Sequence, residues 1–205
     1  KGMFVRRLLP NADRRMVGAW CFLDHAAPFD YEPGHGTKVG PHPHIGLQTF
    51  TWMIEGAVTH RDSLGHEQVI LPRQVNLMTA GRGIVHEEEA LDDHAGRLHG
   101  VQLWIALPDS ERHREPGFQH CPLLPQVHRD GFDITVLAGH ALGEVAPPKV
   151  FSPLVGLDLA SDAVARTRVP LDPAFEYAVM CLSGTLDVEG APLEPGTLLY
   201  LGLGR

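Results

Sequence analysis

The chain has 205 residues, 43% of them hydrophobic and 20% charged, with a formal net charge of −8. That length can bury one large or two small domain cores. The composition is that of an ordinary globular protein, and an acidic balance with no long Lys/Arg run excludes a phosphate-binding groove for nucleic acid. Cys21, Cys121 and Cys181 are isolated, odd in number and outside any CxxC pattern. They exclude a disulfide framework or zinc knuckle and place the chain in a reducing, cytoplasmic setting. No apolar run suits a transmembrane helix and no charged-then-apolar leader is present, so no membrane partner is expected.

Glycine (22) and proline (17) are plentiful, and short β-rich runs between turn residues predict a sandwich or barrel rather than helices. Residues 48–54 alternate and are rich in β-formers. Residues 57–61 and 67–71 flank Asp62-Ser63-Leu64-Gly65, a hairpin turn with glycine available for positive φ. Strands follow over 75–79 and from Ile84, separated by Gly81-Arg82-Gly83, and another over 98–107 is ended by Pro108. Residues 111–130 are polar and without clear periodicity, and are expected to link two halves. Beyond them, 132–138 and 175–182 again read as strands.

An internal repeat predicts two related barrels. The segment 52–58 resembles 179–186 when Gly56 is laid on Gly184. His42 and His44 precede Gly56 by 14 and 12 residues, and the same offsets from Gly184 fall on Pro170 and Asp172. The second copy therefore lacks this histidine pair and is expected to hold no metal. The expected organisation is an N-terminal metal-binding barrel over 1–110, a linker over 111–130 and a degenerate second barrel over 131–205. That second barrel is expected to be incomplete within these residues.

His42-Pro43-His44 and His86-Glu87-Glu88 are the chemically loaded motifs. Side chains at i and i+2 of a strand leave on one face, roughly 7 Å apart, close enough for imidazole and carboxylate arms to share one ion. If His86 faces inward so does Glu88, while Glu87 and Glu89 face out; a one-residue slip would reverse the choice. None of the other histidines is read as having such a partner. His99 is expected to pack or to lie behind the ligands, and His60 and His66 to face solvent. Three neutral imidazoles and a carboxylate suit divalent iron, manganese, nickel, cobalt, copper or zinc. A closed structural zinc site would usually include cysteine, so an open, reactive or sensing centre is the expectation.

In order along the chain, Phe22-Leu23-Asp24-His25, Pro41-His42-Pro43-His44-Ile45-Gly46, Glu55-Gly56, His60-Arg61-Asp62-Ser63-Leu64-Gly65, the run from Met78 to His86, and His99-Gly100-Val101-Gln102-Leu103-Trp104 closely resemble the pirin family of the cupin superfamily. The resemblance implies an all-β bicupin, two jelly-roll barrels in tandem, whose N-terminal barrel holds one metal, usually iron. It carries the ligands onto His42, His44, His86 and Glu88. Cupins often place a glutamate ligand four residues after the second histidine; that position is Gln48 here, which leaves Glu88 to supply the carboxylate. The family further implies a quercetin 2,3-dioxygenase, in which a flavonol and dioxygen meet at the metal and Glu88 acts as the base. The rival within the family is a metal- or redox-responsive regulator acting through protein partners. A sugar isomerase or storage cupin finds no support in these motifs. A monomer is expected.

Overall fold

The computed structural model describes residues 4–91 and 93–204, so the outer limits of the expected domains, residues 1 and 205, lie outside it. Among the described residues there is no helix, and hence none long and apolar enough to cross a membrane. The all-β bicupin class stands. The strands that position the site are β1 (Val5–Leu9), β2 (Trp20–Tyr31), β3 (Lys38–His44), β4 (Leu47–Glu55), β5 (Val58–Asp62), β6 (Glu67–Ile70), β7 (Val75–Thr79), β8 (Ile84–Ala90), β9 (Gly96–Ala106), β10 (Gly117–Cys121), β11 (Gln126–Arg129) and β12 (Phe132–Ala138).

Two antiparallel sheets make the N-terminal barrel. One has the order β1-β2-β9-β4-β7-β10, the other β3-β8-β5-β6. Strand β4, Leu-Gln-Thr-Phe-Thr-Trp-Met-Ile-Glu, shows what its alternation serves. Thr49, Thr51 and Met53 face a cavity between the sheets, while Phe50 and Trp52, on the other face, join the main core with Leu137, Ala138 and Leu154 of the C-terminal half. A sheet covered on both faces has no solvent side to mark with polar residues. Trp20 meets Phe50 edge-on, with centroids 5.6 Å apart, the geometry that aromatic quadrupoles favour. Two smaller clusters join the sheets to each other. Met53 and Leu98 meet Val58, Ile70 and Ala90 in one, and Met78 meets Ile84 in the other, with Leu47 and Phe118 packed against them.

The segment 111–130 is not a bare linker. Strand β10 pairs with β7, Phe118 opposite Met78, and β11 pairs with β12. Both are edge strands, and edges carry polar side chains on purpose, which hides them from a search for apolar runs. Strands β1 and β2 also escape the sequence reading, and β3 is expected only through the spacing of its histidine pair. β2 carries Pro28 at a break in its register with β9, between Ala26 and Phe29, and β3 is an edge strand interrupted by Pro41 and Pro43; proline is tolerated at such places.

The aligned glycines of the repeat share a backbone state, φ being +81° at Gly56 and +72° at Gly184. At Gly56 a Cβ would stand 2.3 Å from the Arg97 carbonyl oxygen, so both the positive φ and the close approach demand glycine. The C-terminal half forms a three-stranded sheet from β11, β12 and the Gly156–Ala160 strand, with shorter two-stranded ladders beyond.

Candidate metal centre

Strand β8 is regular against β5, running from Val58 opposite Ala90 to Asp62 opposite His86. The bulge lies on β3, where Val39 pairs with Glu88 but His42 with His86. The extra residue falls in Gly40-Pro41, and the Gly40 carbonyl thereby reaches Nδ1 of His42 at 2.9 Å. A carbonyl only accepts, so Nδ1 carries the proton and Nε2 of His42 keeps its lone pair.

Beyond the bulge, His42 and His44 resume period-two spacing and converge with His86. Ring centroids are 4.9 Å apart for His42–His44, 4.4 Å for His42–His86 and 5.0 Å for His44–His86. One nitrogen from each of the three lies within 4.8 Å of the others. Nε2 of His86 is buried without a hydrogen-bond partner, an arrangement that costs roughly 1–3 kcal/mol unless something outside the protein satisfies it. Burial pushes His86 down to about 3, with His42, His60 and His44 adding to the effect. Burial, then His42, pushes His44 down to about 4. Neutral imidazoles with inward lone pairs are what a divalent ion needs. The donor set fits a metal.

Glu88 lines the same cavity and falls within 4.8 Å of a second group, His60 and His86. Burial raises its carboxyl above the ordinary value, against the pull of His42 and Thr51. Thr51 Oγ1 lies 2.8 Å from Gln102 Oε1 and 3.5 Å from Glu88 Oε1. Glu87 and Glu89 turn outward. Lys38 meets Glu89 at 2.7 Å, while Arg61 meets Glu89 at 3.3 Å and Glu87 at 3.8 Å.

The cavity holds about 290 Å³, the small end of the range for organic ligands. One part of its wall, beside His44, is aromatic. Phe22 stacks on Trp104 at 3.8 Å, Trp104 meets His44 edge-on at 4.9 Å, and Arg7 caps Phe22 at 4.3 Å while gripping Asp24 with two bonds of 2.9 Å.

One sequence expectation changes here. His60 does not face solvent: it is 3% exposed, stacked on Phe118 at 4.4 Å, because strand pairing sets it opposite Glu88 inside the barrel. His60-Arg61-Asp62 is itself an i, i+2 pair, a signal present in the sequence and passed over. His25 and His99 are packed away from the cavity as a buried pair, Nε2 to Nε2 2.8 Å. Gln48 is also turned from the cavity and donates to Thr79 Oγ1 and the Lys149 carbonyl; an even-numbered residue of β4 cannot share a face with Thr49 and Thr51.

Comparison with known proteins agrees with this architecture. The family model described as Pirin matches residues 2–105. A pirin-like protein of Caulobacter vibrioides is 40% identical over 208 residues, covering 98% of this chain and 72% of that protein. A Pseudomonas aeruginosa protein, named provisionally as a quercetin 2,3-dioxygenase, is 54% identical over 204 residues; the chain spans 64% of its length. The crystal structure of a quercetin 2,3-dioxygenase from Acinetobacter baumannii superposes with a TM-score of 0.95 at 52% identity, covering 98% of this chain and 67% of that one.

Proposed function

Given that the chain belongs to the pirin family, we propose that its N-terminal cavity is the site of a metal-dependent dioxygenase acting on a flavonol-like ring with dioxygen. His42, His44, His86 and Glu88 are its metal ligands in this reading, with iron the first choice of ion. The observation that carries it is the unpartnered, buried Nε2 of His86 among three converging imidazoles, opening on a cavity lined in part by Phe22 and Trp104. A bound divalent ion would supply Lewis acidity and an open coordination position to an oxygen of the substrate.

The chain's own residues then divide the work. The three neutral imidazoles hold the centre without adding charge. Glu88, whose carboxyl burial has pushed upward, is the base poised to take the proton of a substrate hydroxyl, since general bases work best with a pKa drawn toward the operating pH. Trp104, backed by Phe22, offers a flat face against which a planar ring is oriented and from which water is excluded. Thr51 and Gln102 present the polar groups beside Glu88 that fix the ring's edge. The relatives named as quercetin 2,3-dioxygenases support the choice of a flavonol over other planar phenols.

The test is binding under anaerobic conditions. The absorption of a flavonol should shift to that of its deprotonated form on adding iron-loaded protein. A flavone lacking the 3-hydroxyl should show no shift. Equal shifts with metal-free protein, or none at all with loaded protein, would contradict the reading.

A further inference from the structure

Behind His86 stands a second imidazole. His60 places Nδ1 3.3 Å from Nδ1 of His86 and Nε2 3.1 Å from Oδ2 of Asp62. The Asp62 side chain is fully buried. Its Oδ1 accepts the backbone amides of Leu64 at 2.9 Å and His66 at 3.2 Å, and the His66 ring Nδ1 lies 3.1 Å and 3.0 Å from Oδ1 and Oδ2. Those bonds outweigh the effect of burial and hold Asp62 below the ordinary carboxylate value, so it is an acceptor only.

Donor and acceptor roles then follow one from another. An ionised carboxylate demands a donor, which puts the His60 proton on Nε2 and leaves the lone pair on Nδ1. That lone pair faces Nδ1 of His86, which must therefore carry a proton. Nε2 of His86 is left with its lone pair, and it is this atom that is buried and unpartnered. Phe118 stacked at 4.4 Å holds the His60 ring in the plane this chain of bonds requires.

We propose that Asp62 and His60 are positioning residues that fix the tautomer and ring orientation of His86 and so set the metal affinity of the centre. This rests on the reading of His86 as a metal ligand. A hydrogen-bonded partner behind a ligating histidine typically governs 10- to 100-fold in affinity.

The decisive variant is Asp62→Asn. The amides of Leu64 and His66 hold the side-chain oxygen where Oδ1 stands, so the new NH₂ group faces Nε2 of His60. His60 must then accept at Nε2 and donate from Nδ1, and His86 is driven to the opposite tautomer, with its proton on the metal-facing nitrogen. Two readouts are needed: the ¹⁵N shifts of the His86 ring in metal-free protein, and the affinity for Co²⁺ in competition with a chelator.

Wild type should show a protonated Nδ1 on His86. Asp62→Asn should reverse it and weaken Co²⁺ binding by roughly 10- to 100-fold. His60→Leu should weaken binding by a similar factor, while His60→Gln, whose amide oxygen can accept from Nδ1, should restore most of it. A proton on Nε2 of His86 in wild type overturns the proposal without any variant. Unchanged tautomer and affinity in Asp62→Asn would overturn it as well. Wild type that binds no Co²⁺ but shows the Nδ1–H tautomer would refute the metal centre instead.

Discussion

Lowering the pH should destabilise the metal-free protein through His25, and the structure gives the size of the effect. His25 on β2 and His99 on β9 are 3% and 4% exposed, sharing one hydrogen bond between Nε2 atoms. Burial, then His99 and Arg6, push His25 from 6.5 down to about 4. The folded value lies below the unfolded one, so as the pH falls the unfolded chain takes up the proton first. Stability is therefore lost between about pH 6.5 and pH 4 and is flat below that. At about 1.4 kcal/mol per pKa unit, the loss from pH 7 to pH 5 is about 2 kcal/mol. His44 and His86 are depressed too, but they titrate alike in wild type and in His25→Gln and cancel in the comparison. Urea denaturation of both metal-free proteins at pH 7 and pH 5 reads the difference, with equal m-values as the check. Wild type should lose about 2 kcal/mol more than the variant. Equal losses would refute the assignment of His25 as a buried, neutral imidazole.

The ligand reading predicts that His44→Ala and His86→Ala each abolish metal binding, while Glu87→Ala and Glu89→Ala leave it intact; elemental analysis after gel filtration decides. Glu88→Gln should slow flavonol turnover far more than it lowers metal content, because an amide offers an oxygen but cannot accept the proton, and equal loss of both would assign Glu88 to holding the ion alone. Gly56→Ala should destabilise by about 3 kcal/mol in urea denaturation, given its positive φ and the Arg97 carbonyl in the path of a Cβ. A change below 1 kcal/mol would show that the turn can relax by about that much.

The strands from β4 to β9 were legible because their alternation and glycine turns are strong local signals. β7 and β12 match the expected limits 75–79 and 132–138. Inward and outward assignment along β8 was legible for the same reason: period two separates Glu88 from the Arg61-bound Glu87 and Glu89. What local pattern cannot carry is which strand lies opposite. His60 looks like a hairpin residue until β5 is laid against β8, and Phe118 sits in a polar stretch that becomes structure only by pairing with β7. Gln48 shows the converse. It stands where many cupins carry a glutamate ligand and was set aside for its chemistry, and its strand face independently directs it to Thr79 and Lys149. The bulge at Gly40-Pro41 is likewise a property of two strands, and it supplies the carbonyl that orients His42.

Oxygen uptake tests the central claim most directly. Iron-loaded protein, a flavonol and dioxygen should react together in an oxygen electrode, with flavonol and dioxygen consumed one for one and with no uptake after His86→Ala. Protein that retains its metal yet shows no flavonol-dependent uptake with any of the candidate ions would contradict the dioxygenase account and leave regulation through protein partners as the function of the centre.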